Sequence, residues 1–267
     1  MAPSARAPRT SGVAPTLDVE RELARAVGPD AIVVGLDEVG RGALAGPVVV
    51  GACAVRILDG AVATPLPDGV RDSKALTPRR REALVEPIRA TAHASALGWA
   101  RAAEIDEHGI VGALTLAALR ALEGVGVYDA ILLDGSADVL TGHLPLRGGR
   151  EAPRVALRVG ADRDCASVAA ASVLAKVARD AHMRELALEA PEYAWERNKG
   201  YGAAVHREAI VRIGAHAEHR RTWNLLGSAG GSVPAARSAP APDVLWGDDA
   251  FGPAPSADGP GPQEESR

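Results

Sequence analysis

The sequence predicts an α/β layered domain, and three observations carry that prediction. Short apolar runs of strand length recur along residues 31 to 223. They are separated by longer stretches whose apolar residues repeat with helical spacing, the alternation expected of strands covered by helices. The composition is that of a chain able to bury a sizeable core: 267 residues, 47% of them hydrophobic. No stretch approaches the ~20 consecutive apolar residues of a membrane span, and the N-terminus lacks the apolar segment of a signal peptide. A cytoplasmic protein with no membrane partner is the resulting expectation. Two cysteines, Cys53 and Cys165, provide neither a disulfide framework nor a CxxC metal site and are expected to be buried and inert.

In chain order, a short helix fits 17–27, with Val19, Leu23 and Val27 on one side and Gly28 as its stop. Residues 31–37 (AIVVGLD) form a first strand and 47–55 (PVVVGACAV) a second. Thr77 followed by Pro78 reads as the N-cap and first residue of a helix reaching Arg89, with a kink expected at Pro87. Strands follow at 94–100, 129–134 and 153–160, with helices at 103–122 and 164–188, the last rich in small alanines suited to close packing on a sheet. Residues 1–30 are expected to form an arm ending in the short helix, and 31–226 the main domain. Residues 227–267, dominated by Gly, Pro, Ala and Ser, are expected to be a disordered acidic tail, with Trp246 and Phe251 as a candidate partner-binding motif.

Net charge is -4, but the tail holds six acids against Arg237 and Arg267, which leaves 28 charges of each sign in residues 1–227. Neutralising a few acids with metal would make that surface net positive, so a nucleic-acid partner is permitted. The 30 basic residues include just three lysines, Lys74, Lys176 and Lys199. A compact ammonium does what a planar guanidinium does not, so these positions are singled out.

The chemistry is legible at strand ends. The first strand closes with Asp37 and Glu38 and the fourth with Asp134, while Asp162, with Asp164 just behind it, sits between the fifth strand and the long helix. Sites in open α/β sheets form beyond the strand ends, where such acids can converge. Clustered carboxylates repel unless protonated or bridged by cations, and hard oxygen ligands select Mg²⁺ or Mn²⁺ over Zn²⁺. Metal-assisted phosphoryl transfer with two ions is the economical chemistry. Adjacent Asp37 and Glu38 point to opposite faces of a regular strand, and the glycine turn GRG at 40–42 is expected to break the strand so that both serve one site. The string GRGALA also fits a dinucleotide-binding loop, but that mechanism needs a helix to start inside the turn, and PVVV follows instead.

Taken in order, GLDEVGRGALAGPVV, DSKALTPRRREAL, EIDEHGIVGALTLAALRAL, LLDGS, VGADRDCASVAAASVLAKVARDAHM, NKGYG and HRRTW resemble bacterial ribonuclease HII, a type 2 ribonuclease H. The resemblance implies a ribonuclease H-like fold, a mixed five-stranded sheet flanked by helices with a C-terminal helical region. It implies a four-carboxylate metal site at Asp37, Glu38, Asp134 and Asp162, binding Mg²⁺ or Mn²⁺, two ions with substrate. The implied reaction is cleavage of the RNA strand of RNA-DNA hybrids, and 5′ of single ribonucleotides in duplex DNA, leaving 3′-hydroxyl and 5′-phosphate ends. Gly40, Arg41 and Gly42 would sense the ribonucleotide and Tyr201 would stack on the neighbouring deoxyribose. Lys74, Lys199, Arg220 and Arg221 would contact phosphates, as would His219. A monomer is expected. Departures are Ala43 for proline, Asn198 for histidine and Trp223 for phenylalanine. A nucleic-acid-binding module without activity is the alternative.

Overall fold

All five expected strands form, and the first two dominate the sheet. A computed structural model describes residues 14–144 and 152–226. The expected tail, and the arm up to residue 13, lie outside the described residues. Strand β1 (Asp30–Val39) pairs antiparallel with β2 (Val48–Leu58), with Asp37 opposite Gly51 and Glu38 opposite Val50. A two-residue strand, β3 (Ala61–Val62), escapes sequence reading because it is too short to show a pattern; it extends the far half of β2. Strand β4 (Ala94–Ala100) pairs antiparallel with the near half of β2. On the other side of β1 lie β5 (Ala130–Asp134) and then β6 (Arg154–Arg158), both parallel. The sheet is therefore mixed, with six strands among the described residues where five were expected.

Helices cover both faces. Helix α1 (Asp18–Val27) stops at Gly28, and α2 (Pro78–Thr91) starts under Thr77, whose hydroxyl accepts the amide of Arg80. Helix α2 continues through Pro87 and ends at Thr91. Helix α3 (Ala102–Val125) carries its break at Gly109, whose backbone is non-helical, rather than at any proline. It is long and apolar enough to cross a bilayer by composition. In the fold its Ala113, Ala117, Ala121 and Leu122 pack onto one sheet face with Val34, Leu36, Ala52 and Ile131. Each large side chain fully buried there stabilises by about 2–3 kcal/mol.

The opposite face takes α1, α2, a one-turn helix α4 (Ala161–Asp164) and the long α5 (Ala166–Glu189). The small residues of α5 permit close approach: a Cβ at Gly51 would sit 2.2 Å from the Ala171 carbonyl oxygen. Helix α1 is tied to the start of α5 by buried Glu20, which accepts both the amide (2.9 Å) and the hydroxyl (2.7 Å) of Ser167. Cys53 and Cys165 are free and buried, and burial pushes both thiols up to about 12, so they are inert as expected.

Beyond α5 the chain forms a helical region: α6 (Trp195–Asn198) and α7 (Ala204–Ile213), with a separate apolar cluster around Leu44, Met183, Tyr193, Trp195 and Ile210. This cluster contains a hydrogen-bonded histidine pair. His206 Nδ1 faces the Tyr201 carbonyl at 2.8 Å, and Trp195 Nε1 donates to His206 Nε2 at 3.0 Å. The His216 amide donates to His219 Nδ1, and His219 Nε2 faces His206 Nε2 at 3.0 Å. The Trp195 donor fixes His206 as the Nδ1-H tautomer, its proton directed at the Tyr201 carbonyl, and burial favours the neutral form of both rings. Burial lowers the pKa of His206 and lowers that of His219 to about 3.

A histidine kept neutral by folding binds its proton only in the unfolded chain. Its contribution to stability is complete above about pH 6.5 and declines below that, by up to about 1.4 kcal/mol per pH unit. Ring NMR should show His219 neutral and without titration between pH 8 and 5; a protonation midpoint near 6.5 at His219 would contradict the network.

Candidate active site

The two adjacent acids of β1 stand on opposite faces, as strand alternation requires. Asp37 is 6% exposed and faces α5, where the Ser172 hydroxyl bonds it. Glu38 lines a cleft of about 210 Å³ on the α3 side, shared with Arg41, Asp134, Gly135 and Ser136. The strand stays paired through Val39, so the expected break falls at Gly40, one residue past Val39, and does not bring both acids to one face. They share a site because the sheet ends there and both side chains lie at its rim. Asp134 closes β5, the strand next to β1, and accepts the Ala161 amide at 2.9 Å, which ties it to the turn carrying Asp162. Asp162 is buried on α4, and Lys74 Nζ lies 3.7 Å from its Oδ2.

The four carboxylates feel one another. Burial, followed by Glu38, Asp134 and Asp162, pushes Asp37 up to about 7 against the opposing Ser172 hydrogen bond. Burial also raises Glu38, with Asp134 adding to the rise and Arg41, 3.6 Å away, opposing it. Asp162 is raised by burial, then by Asp72 and Asp134. Partial desolvation pulls the Lys74 ammonium down, but Asp72, Asp162, Asp37 and Asp134 outweigh it and its pKa rises. Among the described residues, no three His, Cys, Asp or Glu side chains close into a ready cage for an ion. The acids form an open, self-repelling cluster of hard oxygens, and its donor chemistry fits divalent cations bound with substrate completing the ligand set.

Asp72 is a site residue that sequence reasoning passed over. Its carboxylate accepts the Lys74 amide at 2.9 Å, and its charge beside Asp162 raises that acid, joining the lysine loop to the acid cluster. Its place inside the quoted stretch DSKAL was the available signal. Arg81 supports the same loop by donating to the carbonyls of Ser73 and Leu76, both at 2.7 Å.

The GRG turn lies beside the cluster. Gly40 has φ 87, and the Ala43 amide bonds its carbonyl at 3.2 Å, closing a tight turn with Arg41 and Gly42 exposed. No helix begins in residues 40–47, and β2 starts at Val48, which removes the dinucleotide-binding reading.

Arg220 corrects an expectation. It was expected on the surface as a phosphate contact, yet it is fully buried. Its guanidinium donates to the carbonyls of Gly40 (2.6 Å), Arg41 (2.7 Å) and Gly46 (3.1 and 3.2 Å), so it holds the turn from beneath. His219, also expected at phosphate, is buried in the histidine pair. Arg221 keeps an exposed side chain, with its amide bonded to Asp106 at 2.8 Å. Lys199 adopts φ 52 and its ammonium bonds the Glu196 carbonyl. Tyr201 is 38% exposed, with the Arg179 guanidinium 5.6 Å from its ring centre. Asn198 bonds the Tyr193 carbonyl (2.7 Å) and the Gly200 amide (2.8 Å), so its amide shapes the turn that presents Tyr201.

Comparison with known proteins agrees with this geometry. The family model for ribonuclease HII matches residues 34–226. A ribonuclease HII of Synechococcus sp. (strain WH7803) is 48% identical over 190 residues, covering 71% of this chain and 93% of the relative. Among solved structures, ribonuclease H2 of Pyrococcus horikoshii OT3 superposes with a TM-score of 0.57 at 24% identity, over 73% of this chain and 95% of that one. Bst-RNase HIII, solved in complex with Mn²⁺, superposes at 0.55 and 19% identity, over 76% and 70%. The fold is that of the type 2 ribonucleases H, and the chain belongs to the ribonuclease HII family, metal-dependent endonucleases acting on RNA-DNA hybrids.

Proposed function

We propose that the chain cuts duplexes 5′ of a ribonucleotide, including a single ribonucleotide embedded in DNA, and leaves 3′-hydroxyl and 5′-phosphate ends. The observation that carries this reading is the placement of four mutually repelling acids beside a turn whose backbone is held open toward solvent. Asp37, Glu38, Asp134 and Asp162 would hold Mg²⁺ or Mn²⁺. When bound, two such ions supply a polarised water and neutralise charge on the scissile phosphate and the leaving oxygen.

The chain's own groups do the rest. Gly40, Arg41 and Gly42 present backbone to the sugar edge, where the 2′-hydroxyl distinguishes RNA from DNA. Tyr201 stacks on the neighbouring deoxyribose. Lys74, Lys199 and Arg221 contact phosphates, which position the duplex without reading sequence. The protein acts as a cytoplasmic monomer, with residues 31–226 as the catalytic domain.

The test is cleavage, with Mg²⁺ or Mn²⁺, of a duplex carrying one ribonucleotide against the same duplex in all-DNA form. Cutting of the first alone is expected. Equal cutting of both would discard the sensing role of the turn, and binding without cutting would favour an inactive nucleic-acid-binding module.

A further inference from the structure

Arg179 on α5 is fully buried and, among the described residues, makes no salt bridge. Its guanidinium donates to three carbonyls drawn from two distant parts of the chain. Nε reaches Pro47 (2.8 Å) and one terminal nitrogen reaches Ala45 (3.2 Å), both in the segment leaving the GRG turn. The other terminal nitrogen reaches Lys199 at 3.0 Å, two residues before Tyr201, whose ring centre lies 5.6 Å from the guanidinium carbon. On the other side, Arg179 fills the space beneath Gly40, where a Cβ would meet its Nε at 2.1 Å. One side chain thus touches the turn, the segment after it, and both the backbone and the ring of the tyrosine segment. Arg220, by contrast, donates only to the turn side.

We infer that Arg179 is a positioning residue for substrate choice: it fixes Tyr201 relative to the GRG turn, and so sets how well the enzyme recognises the step from ribose to deoxyribose. The inference rests on the roles proposed above for the turn and for Tyr201. A single ribonucleotide in DNA is followed by deoxyribose and requires both elements at the correct separation. A long RNA-DNA hybrid presents ribose on both sides of the cut and depends on the turn alone. The two segments also share backbone bonds, from Leu44 and Ala45 amides to the Gly200 carbonyl (2.8 and 3.2 Å). Those bonds keep the segments adjacent; a planar fork that reaches three carbonyls and lies against the ring sets their orientation. Lysine keeps the charge but loses the fork, and small misplacements in such sites cost up to about a hundredfold in rate.

The experiment measures kcat/KM on a singly ribo-substituted duplex and on a long hybrid, well below the melting temperature. Wild type, Arg179→Lys, Arg179→Gln, Tyr201→Ala and the Arg179→Lys/Tyr201→Ala double variant are compared. Arg179→Lys should lower the ratio of single-ribonucleotide to hybrid cleavage by about tenfold or more, with Arg179→Gln as a second reading if the lysine variant folds poorly. In the Tyr201→Ala background it should change the ratio no further. Parallel loss on both substrates, or a loss that multiplies with Tyr201→Ala, overturns the inference while leaving the Tyr201 role intact. If Tyr201→Ala by itself leaves the ratio unchanged, the proposed role of Tyr201 fails and the inference fails with it.

Discussion

Asp37→Asn should abolish cleavage and, in the absence of divalent metal, make the protein more stable. Loss of turnover by at least about a thousandfold is expected, because an amide neither carries the charge that retains a divalent ion nor replaces a carboxylate in a cluster whose members act together. The stability gain follows from the sign of the Asp37 shift. Its folded pKa, about 7, lies above its ordinary value of 3.8. Between those values the folded chain binds more protons than the unfolded chain, so stability falls as pH rises through that window. At pH 8 without metal, the penalty of burying the charge beside Glu38, Asp134 and Asp162 is on the order of 2–4 kcal/mol. Asparagine removes it while keeping a partner for Ser172. A rise in melting temperature of several degrees at pH 8, shrinking toward pH 4 and on adding Mg²⁺ to the wild type, is the expected pattern. Turnover retained in Asp37→Asn would mean the site is misassigned; a lower melting temperature would mean the acid is not repelled by its neighbours.

Arg220→Ala should damage the fold rather than the affinity for phosphate. A phosphate contact on the surface would, when removed, weaken binding and reduce its salt dependence by about one charge, with the melting curve unchanged. The buried Arg220 donates to three carbonyls and packs 4.8 Å from the Trp223 ring centre. Truncation leaves those carbonyls without a donor and opens a cavity, for an expected loss of about 3–5 kcal/mol. Chemical denaturation of the variant should show that loss. An unchanged midpoint with a shallower salt slope would restore the surface role. Arg220→Lys should recover part of the stability and little of the turn's geometry, since one ammonium cannot reach three oxygens spread across residues 40 to 46.

The arginine bias of the chain gains a physical explanation from these contacts. Arg81, Arg179, Arg207 and Arg220 each donate to at least two backbone carbonyls. A fork of five donors suits that work and an ammonium does not. Lys74 and Lys176 instead face carboxylates, Asp162 at 3.7 Å and Asp180 at 2.6 Å.

Strand positions, helix starts and the strand-end acids Asp37, Glu38 and Asp134 could be read from the sequence because each rests on a local signal, whereas the full four-acid set with Asp162 rested on the resemblance. An apolar run of strand length, a Thr-Pro cap and an acid at a strand end are properties of a few neighbouring residues. The sixth strand was too short to leave such a signal, and α7 was foreseen only as part of a helical region. The tertiary structure alone decided what depends on where distant segments meet. It placed Asp37 against α5 and Glu38 against α3, turned Arg220 inward, brought Asp72 onto Asp162, and set Arg179 between the turn and Tyr201. The side chain of an arginine looks the same in sequence whether it meets water, a phosphate or a carbonyl. Burial and partner are set by the packing of segments far apart in the chain, and that information is carried by no single stretch of it.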